Sequence, residues 1–144
     1  MKINNVVVIG SGTMGSGIAA QLCNANIPVT LLDLKTEISQ KAKERIEKSR
    51  PPLLIDKSKI DGIKVGNIND DFNIVSEADW IVEAVVERID IKHDIYDKIF
   101  KQRKKGSIVS SNTSSIPISV LSEKLTEDDK KDFCITHFFN PVRY

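Results

Sequence analysis

The stretch Val6-Val7-Val8-Ile9-Gly10-Ser11-Gly12-Thr13-Met14-Gly15-Ser16-Gly17-Ile18-Ala19-Ala20 decides the fold. An apolar strand passes into a helix through glycines at the Gly-x-Gly-x-x-Gly spacing, the arrangement of a dinucleotide-binding turn. Gly10 lets the chain leave the strand sharply, Gly12 removes a side chain where a diphosphate must approach the backbone, and Gly15 lets the helix pack close to the strand. Thr13 and Met14 open that helix, whose first N–H groups face the phosphates.

Glycines alone are weak evidence, and the flanking sequence supplies the rest. Ile18, Ala19, Leu22 and Cys23 follow at helical spacing. The next apolar run, Val29-Thr30-Leu31-Leu32, then ends in Asp33, within the roughly 20-residue interval at which a ribose-binding acid is expected. A carboxylate there accepts from both ribose hydroxyls and repels a 2′-phosphate, so NAD is the expected cofactor rather than NADP. Lys35, two residues on, works against that exclusion.

The chain has 144 residues, enough for one domain with a sizeable core. It carries 21 Lys and Arg against 20 Asp and Glu, so no overall charge invites nucleic acid, and any anionic ligand must be caught locally. No run is long and apolar enough for a membrane span, and the start Met1-Lys2-Ile3-Asn4-Asn5 has no signal-peptide character; the expected location is cytoplasmic. Cys23, on the apolar face of the first helix, and Cys134, in a strand, are expected to be buried reduced thiols. His93 and His137 have no ligands at metal spacing around them, so no metal site is expected.

Strands are expected near residues 5–10, 28–33, 63–67, 79–86, 107–111 and 133–139. Helices are expected near 13–26, 36–49, 89–104 and 117–125, with a short turn around 72–77. This alternation implies an α/β fold of the Rossmann type, a doubly wound, mostly parallel sheet with helices on both faces. The segment Glu37 to Arg50 carries Ile38, Ala42 and Ile46 at spacing four and is stopped by Pro51-Pro52, while Leu53-Leu54-Ile55 is an apolar patch without a periodic partner. Lys101-Gln102-Arg103-Lys104-Lys105, at a helix end before Gly106, reads as a solvated complement to the helix dipole.

In open α/β sheets ligands bind beyond the carboxyl ends of the strands. Polar residues that packing does not explain follow three of them. Trp80-Ile81-Val82-Glu83-Ala84-Val85-Val86 runs into Glu87 and, a turn later, Lys92. Ile108-Val109-Ser110 runs into Ser111-Asn112-Thr113-Ser114-Ser115, and Phe133-Cys134-Ile135-Thr136 into His137-Phe138-Phe139-Asn140-Pro141-Val142.

With these motifs in this order the sequence resembles the L-3-hydroxyacyl-CoA dehydrogenases, including the 3-hydroxybutyryl-CoA members, along its full length. The resemblance implies NAD-dependent hydride transfer from C3 of an L-3-hydroxyacyl-CoA in fatty-acid or butyrate-type metabolism. It assigns His137 as the general base, Ser114 as the hydroxyl that bonds the substrate oxygen, and Asn140 as a polar contact near nicotinamide and substrate. Glu87 and Lys92 match cofactor-pocket residues, and Ser49 lines up with a CoA-contacting serine. The chemistry suits the residue types: removing hydride from a secondary alcohol requires a base for the hydroxyl proton, and imidazole titrates near neutrality.

In the family a glutamate beyond this motif pairs with the base, and a helical domain follows that closes over the acyl chain. Neither is expected within residues 1–144, so the chain should fold and bind NAD but turn over slowly by itself. The competing reading is a stand-alone NAD-binding or sensing module without catalysis; a third is a dehydrogenase of free β-hydroxy acids.

Overall fold

The computed structural model describes all of residues 1–144. Six strands, β1 (Val6–Ile9), β2 (Val29–Asp33), β3 (Ile63–Asn67), β4 (Trp80–Glu83), β5 (Ile108–Ser111) and β6 (Phe133–Ile135), form one all-parallel sheet in the order β3-β2-β1-β4-β5-β6. The helices are α1 (Thr13–Asn24), α2 (Thr36–Lys48), α3 (Ile89–Gln102), α4 (Ile118–Leu121) and α5 (Glu127–Lys130), with 3-10 turns at Lys57–Gly62 and Phe72–Glu77. This is the Rossmann-type fold anticipated from the sequence, and its strand order reverses between β1 and β4.

Parallel strands buried on both faces place alternate residues in opposite cores. Val6 and Val8 of β1 join Val29, Leu31, Ile18, Leu22, Ala42 and Ile46 under α1 and α2. Val7 and Ile9 join Leu32, Ile81 and Val109 under Ile95, Tyr96 and Ile99 of α3. The register aligns the carboxyl ends: Ile9 stands beside Leu32 and Glu83, and Glu83 beside Ser111, which in turn faces Ile135. Whatever follows those residues is delivered to one edge of the sheet.

Some boundaries differ from the sequence expectation. β4 stops at Glu83 rather than residue 86, because Glu83 turns back to accept from the Val85 N–H and draws the chain out of the ladder. β6 ends at Ile135, and the region 117–125 holds only the short α4, with α5 a separate element missed in the sequence. Leu54 is buried in the core beneath α1, and its neighbour Leu53 packs against the same cluster, so part of the patch after Pro52 has a partner; Ile55 remains exposed. The basic run is ion-paired rather than merely solvated: Lys101 meets Asp97, Arg103 meets Asp129 and Asp132, and Lys104 meets Asp79. Both cysteines are free thiols; Cys23 is buried, whereas Cys134 is only half-buried.

The turn after β1 is fixed by two glycines. Gly10 has φ of 102°, a left-handed conformation that costs glycine nothing and other residues a clash. A Cβ on Gly15 would sit 1.8 Å from the Gly10 carbonyl oxygen, so α1 reaches the strand end only because that atom is missing. At Gly12 a Cβ would meet nothing within 4 Å. Gly15→Ala is therefore expected to lower stability by about 3 kcal/mol or to prevent folding, and Gly12→Ala by only about 1 kcal/mol. Urea unfolding of the two variants checks this; equal losses would contradict it.

Candidate active site

A cavity of about 760 Å³ opens along the carboxyl edge of the sheet at the point where the strand order reverses. Gly10, Gly12, Thr13, Met14 and Asp33 line one end, and Glu87, Lys92, Ser114, His137 and Asn140 line the other. Apolar residues from both halves, among them Leu34, Ile38, Ile68, Val85 and Ile95, cover the walls between. Size and lining are those of a small-molecule site.

The first end combines open backbone N–H groups with a held carboxylate, a set of groups that fits a diphosphate and a ribose. No side chain caps the first turn of α1, and no acid occupies it, so its N–H groups stay available to an anion. The space that a Cβ on Gly12 would enter is open. Asp33 is already held. Its Oδ2 accepts from the Ser11 N–H (2.8 Å) and hydroxyl (2.5 Å), and its Oδ1 accepts from the Leu34 N–H (2.7 Å). Oδ1 keeps a lone pair for a further donor such as a ribose hydroxyl. Arg45, on α2, donates from Nη2 to the Ser11 carbonyl at 3.2 Å and lines the same end. These groups fit the adenosine and diphosphate portions of NAD.

At the other end lies a buried polar network that joins β4, β5 and α3. Glu83, fully buried, accepts from the Lys92 ammonium (2.6 Å), the Tyr96 hydroxyl (2.5 Å), the Ser111 hydroxyl (2.7 Å) and the Val85 N–H (3.0 Å). Lys92 is 1% exposed and also lies 3.0 Å from Glu87, which accepts from the Thr113 and Ser115 hydroxyls. Burial disfavours ionisation of Glu87, but the Thr113 hydroxyl and the Lys92 ammonium outweigh it and hold the carboxyl below the usual carboxylate range. Burial and the adjacent Glu83 charge push the Tyr96 phenol far above its ordinary value, so Tyr96 serves as a donor.

Lys92 is thus not a solvated helix lysine. Asp90, the neighbour on its own helix, pairs instead with Arg88. The ammonium of Lys92 is already committed to Glu83 and Glu87, so a direct contact with a cofactor would have to displace one of them.

His137 and Ser114 are exposed at the cavity mouth. The His137 ring stacks on Phe139 with centroids 5.2 Å apart, and no carboxylate lies within ion-pair reach of it. The segment is anchored behind the ring. The Phe138 N–H donates to Asn112 Oδ1 at 2.9 Å, while the Thr136 N–H donates to the Ser111 carbonyl. Ser114 does not cap the helix after Pro117, whose N-terminus has no side-chain cap. Ser49 is not brought to the cavity: its hydroxyl donates to the Ile46 carbonyl and accepts from the Leu53 N–H, closing the end of α2 before the prolines.

Sequence reasoning quoted Glu83 and Asn112 within their motifs without giving them a role, and missed Tyr96 and Arg45. Glu83 had a signal, a carboxylate inside an otherwise apolar strand, and Tyr96 stands at i+4 from Lys92 on the same face of α3. Arg45 had none, since its role depends on how α2 lies against the glycine turn. Removing one partner of a buried ion pair leaves the other charged and unpaired. Lys92→Met is therefore expected to destabilise the chain by about 3–5 kcal/mol, measured by thermal or urea unfolding; an unchanged midpoint would contradict the network.

Comparison with known proteins agrees with this fold. Residues 5–144 match the family model for the 3-hydroxyacyl-CoA dehydrogenase NAD binding domain. A Deinococcus radiodurans protein named "Probable 3-hydroxyacyl-CoA dehydrogenase" is 43% identical over 151 residues, covering 100% of this chain and 44% of that protein. Human mitochondrial hydroxyacyl-coenzyme A dehydrogenase is 32% identical, covering 97% of this chain and 48% of that protein. The crystal structure of 3-hydroxybutyryl-CoA dehydrogenase from Escherichia coli superposes with a TM-score of 0.85 at 25% identity, over 99% of this chain and 31% of that one. The chain thus spans less than half the length of these relatives. With its motifs, its sheet and its cavity in agreement, the chain belongs to the family of NAD-binding domains of 3-hydroxyacyl-CoA dehydrogenases.

Proposed function

We propose that residues 1–144 hold NAD along the carboxyl edge of the sheet and present it to an L-3-hydroxyacyl-CoA, whose C3 alcohol is oxidised to the ketone. The observation that carries this reading is the single cavity with a glycine turn and an acid at one end and Ser114, His137 and Asn140 at the other. When bound, NAD supplies the hydride acceptor. Gly10, Gly12, Thr13, Met14, Gly15 and Asp33 hold its adenosine diphosphate half, and Glu87 lies on the nicotinamide side. Lys92 acts by fixing Glu83 and Glu87.

His137 takes the proton from the 3-hydroxyl through its imidazole, and its exposed position at the mouth gives a substrate oxygen access to the ring. Ser114 donates a hydrogen bond to that oxygen, and Asn140 supplies a further polar contact beside it. An imidazole with no carboxylate neighbour is not fixed in one tautomer. We infer that a carboxylate and a helical domain from outside these residues complete the site and bind the acyl chain. A role for Ser49 in holding CoA would require its hydroxyl to leave the end of α2. Relatives named for fatty acid oxidation, including a peroxisomal β-oxidation protein of Arabidopsis thaliana, support the acyl-CoA substrate class. No helix is long and apolar enough to cross a membrane.

The test has two parts. Titration of the chain is expected to give NAD⁺ binding at least about tenfold tighter than NADP⁺, from the Asp33 carboxylate; tighter NADP⁺ binding would overturn the cofactor assignment. In the chain supplied with the remaining portion of such an enzyme, oxidation of 3-hydroxybutyryl-CoA is expected, and His137→Gln should lower kcat by about 10³-fold. Absence of turnover with intact NAD⁺ binding would favour a binding module, and turnover unaffected by the substitution would remove His137 as the base.

A further inference from the structure

The network at the nicotinamide end has unequal charge. Two carboxylates, Glu83 and Glu87, face a single ammonium, Lys92, at 2.6 and 3.0 Å. Four donors converge on Glu83: the Lys92 ammonium, the Val85 N–H and the Tyr96 and Ser111 hydroxyls. Glu87 is held ionised by Lys92 and two hydroxyls. Of the other charges nearby, Arg88 is turned outward and pairs with Asp90, and His93 faces Val120 and Glu123 on the far side of α3. Arg45 and Asp33 lie at the opposite end of the cavity. One negative charge therefore remains uncompensated beside the cavity wall, with Glu87 as its accessible member at 41% side-chain exposure.

We propose that Glu87, through this excess charge, makes the site discriminate between the two redox states of its cofactor in favour of the oxidised form. The proposal rests on the cofactor orientation given above. The nicotinamide ring is cationic in NAD⁺ and neutral in NADH, while the adenosine, diphosphate and ribose parts are common to both. A fixed carboxylate near the ring thus acts on one form only. A ring bound beside Glu87 would displace water from its half-exposed carboxylate, and the lower local dielectric would strengthen the interaction. The Lys92 ammonium cancels the charge of Glu83 and keeps it buried, so Glu87 carries the surplus.

The test compares Glu87→Gln and Glu87→Asp with the unaltered chain by calorimetric titration of NAD⁺, NADH and ADP-ribose. Gln retains the size and acceptor oxygen of the side chain without its charge, and Asp retains the charge. Glu87→Gln is expected to weaken NAD⁺ binding about tenfold while NADH and ADP-ribose change by less than about twofold, and Glu87→Asp to restore most of the preference. A tenfold change in the ratio raises the potential of the bound couple by about 30 mV. Circular dichroism verifies folding of each variant, and Glu87→Ala, which removes the carboxylate and leaves Lys92 paired with Glu83, serves if the Gln variant does not fold. Equal losses for all three ligands, or no change in any, would overturn the proposal by making Glu87 a hydrogen-bonding or bystander residue. Failure of the unaltered chain to bind any of the three would instead overturn the cofactor reading beneath it.

Discussion

The approach of α1 to the end of β1 is the constraint on which the rest of the structure depends. With Gly15 against the Gly10 carbonyl, the first turn of the helix sits directly over the sheet edge, and its unpaired N–H groups point along the crevice between β1 and β4. A side chain at residue 15 would lift the helix away and separate its dipole from the space it serves. The same approach places Ser11 beside Asp33, so that the acid at the end of β2 is oriented by the turn itself rather than by a ligand. The open first turn of α1 and the oriented carboxylate of Asp33 are consequences of one contact.

The second half of the cavity has a different construction. There the edge of the sheet is tied together by charge: Glu83 from β4 gathers Lys92 and Tyr96 from α3 and Ser111 from β5. Ser111 in turn accepts from the Thr113 N–H, and Asn112 holds the backbone next to His137. A buried network of this kind is worth having only when every member is satisfied, and no buried side-chain polar atom lacks a partner. The loops bearing Ser114 and His137 thus extend from a rigid base while the two side chains stay exposed.

Much of this was legible in the sequence, for identifiable reasons. The glycine spacing, the apolar runs and Asp33 report local backbone requirements, which is why the alternation of strands and helices and the Rossmann-type fold could be anticipated. The motifs after β4, β5 and β6 could be placed together because parallel strands must end on one edge. What stayed hidden is pairing across elements. Lys92 reads on its own helix as a solvated lysine beside Asp90, and only the packing of α3 on β4 turns it inward to Glu83. Arg103 in the basic run is drawn away from solvent by Asp129 and Asp132, which follow it by more than 20 residues. β4 ended early for a similar reason: Glu83 bonds back to Val85, an effect that strand propensity does not register.

The central claim is that one dinucleotide spans the cavity from the glycine turn to the His137 loop. Amide chemical-shift mapping of the ¹⁵N-labelled chain during titration with NAD⁺ tests it most directly. The account predicts saturable shifts at Gly12, Thr13, Met14 and Leu34 together with shifts at Glu87, Ser114 and His137, all with one dissociation constant. Shifts confined to the opposite face of the sheet, or a glycine turn that stays unperturbed while NAD⁺ binds, would contradict it.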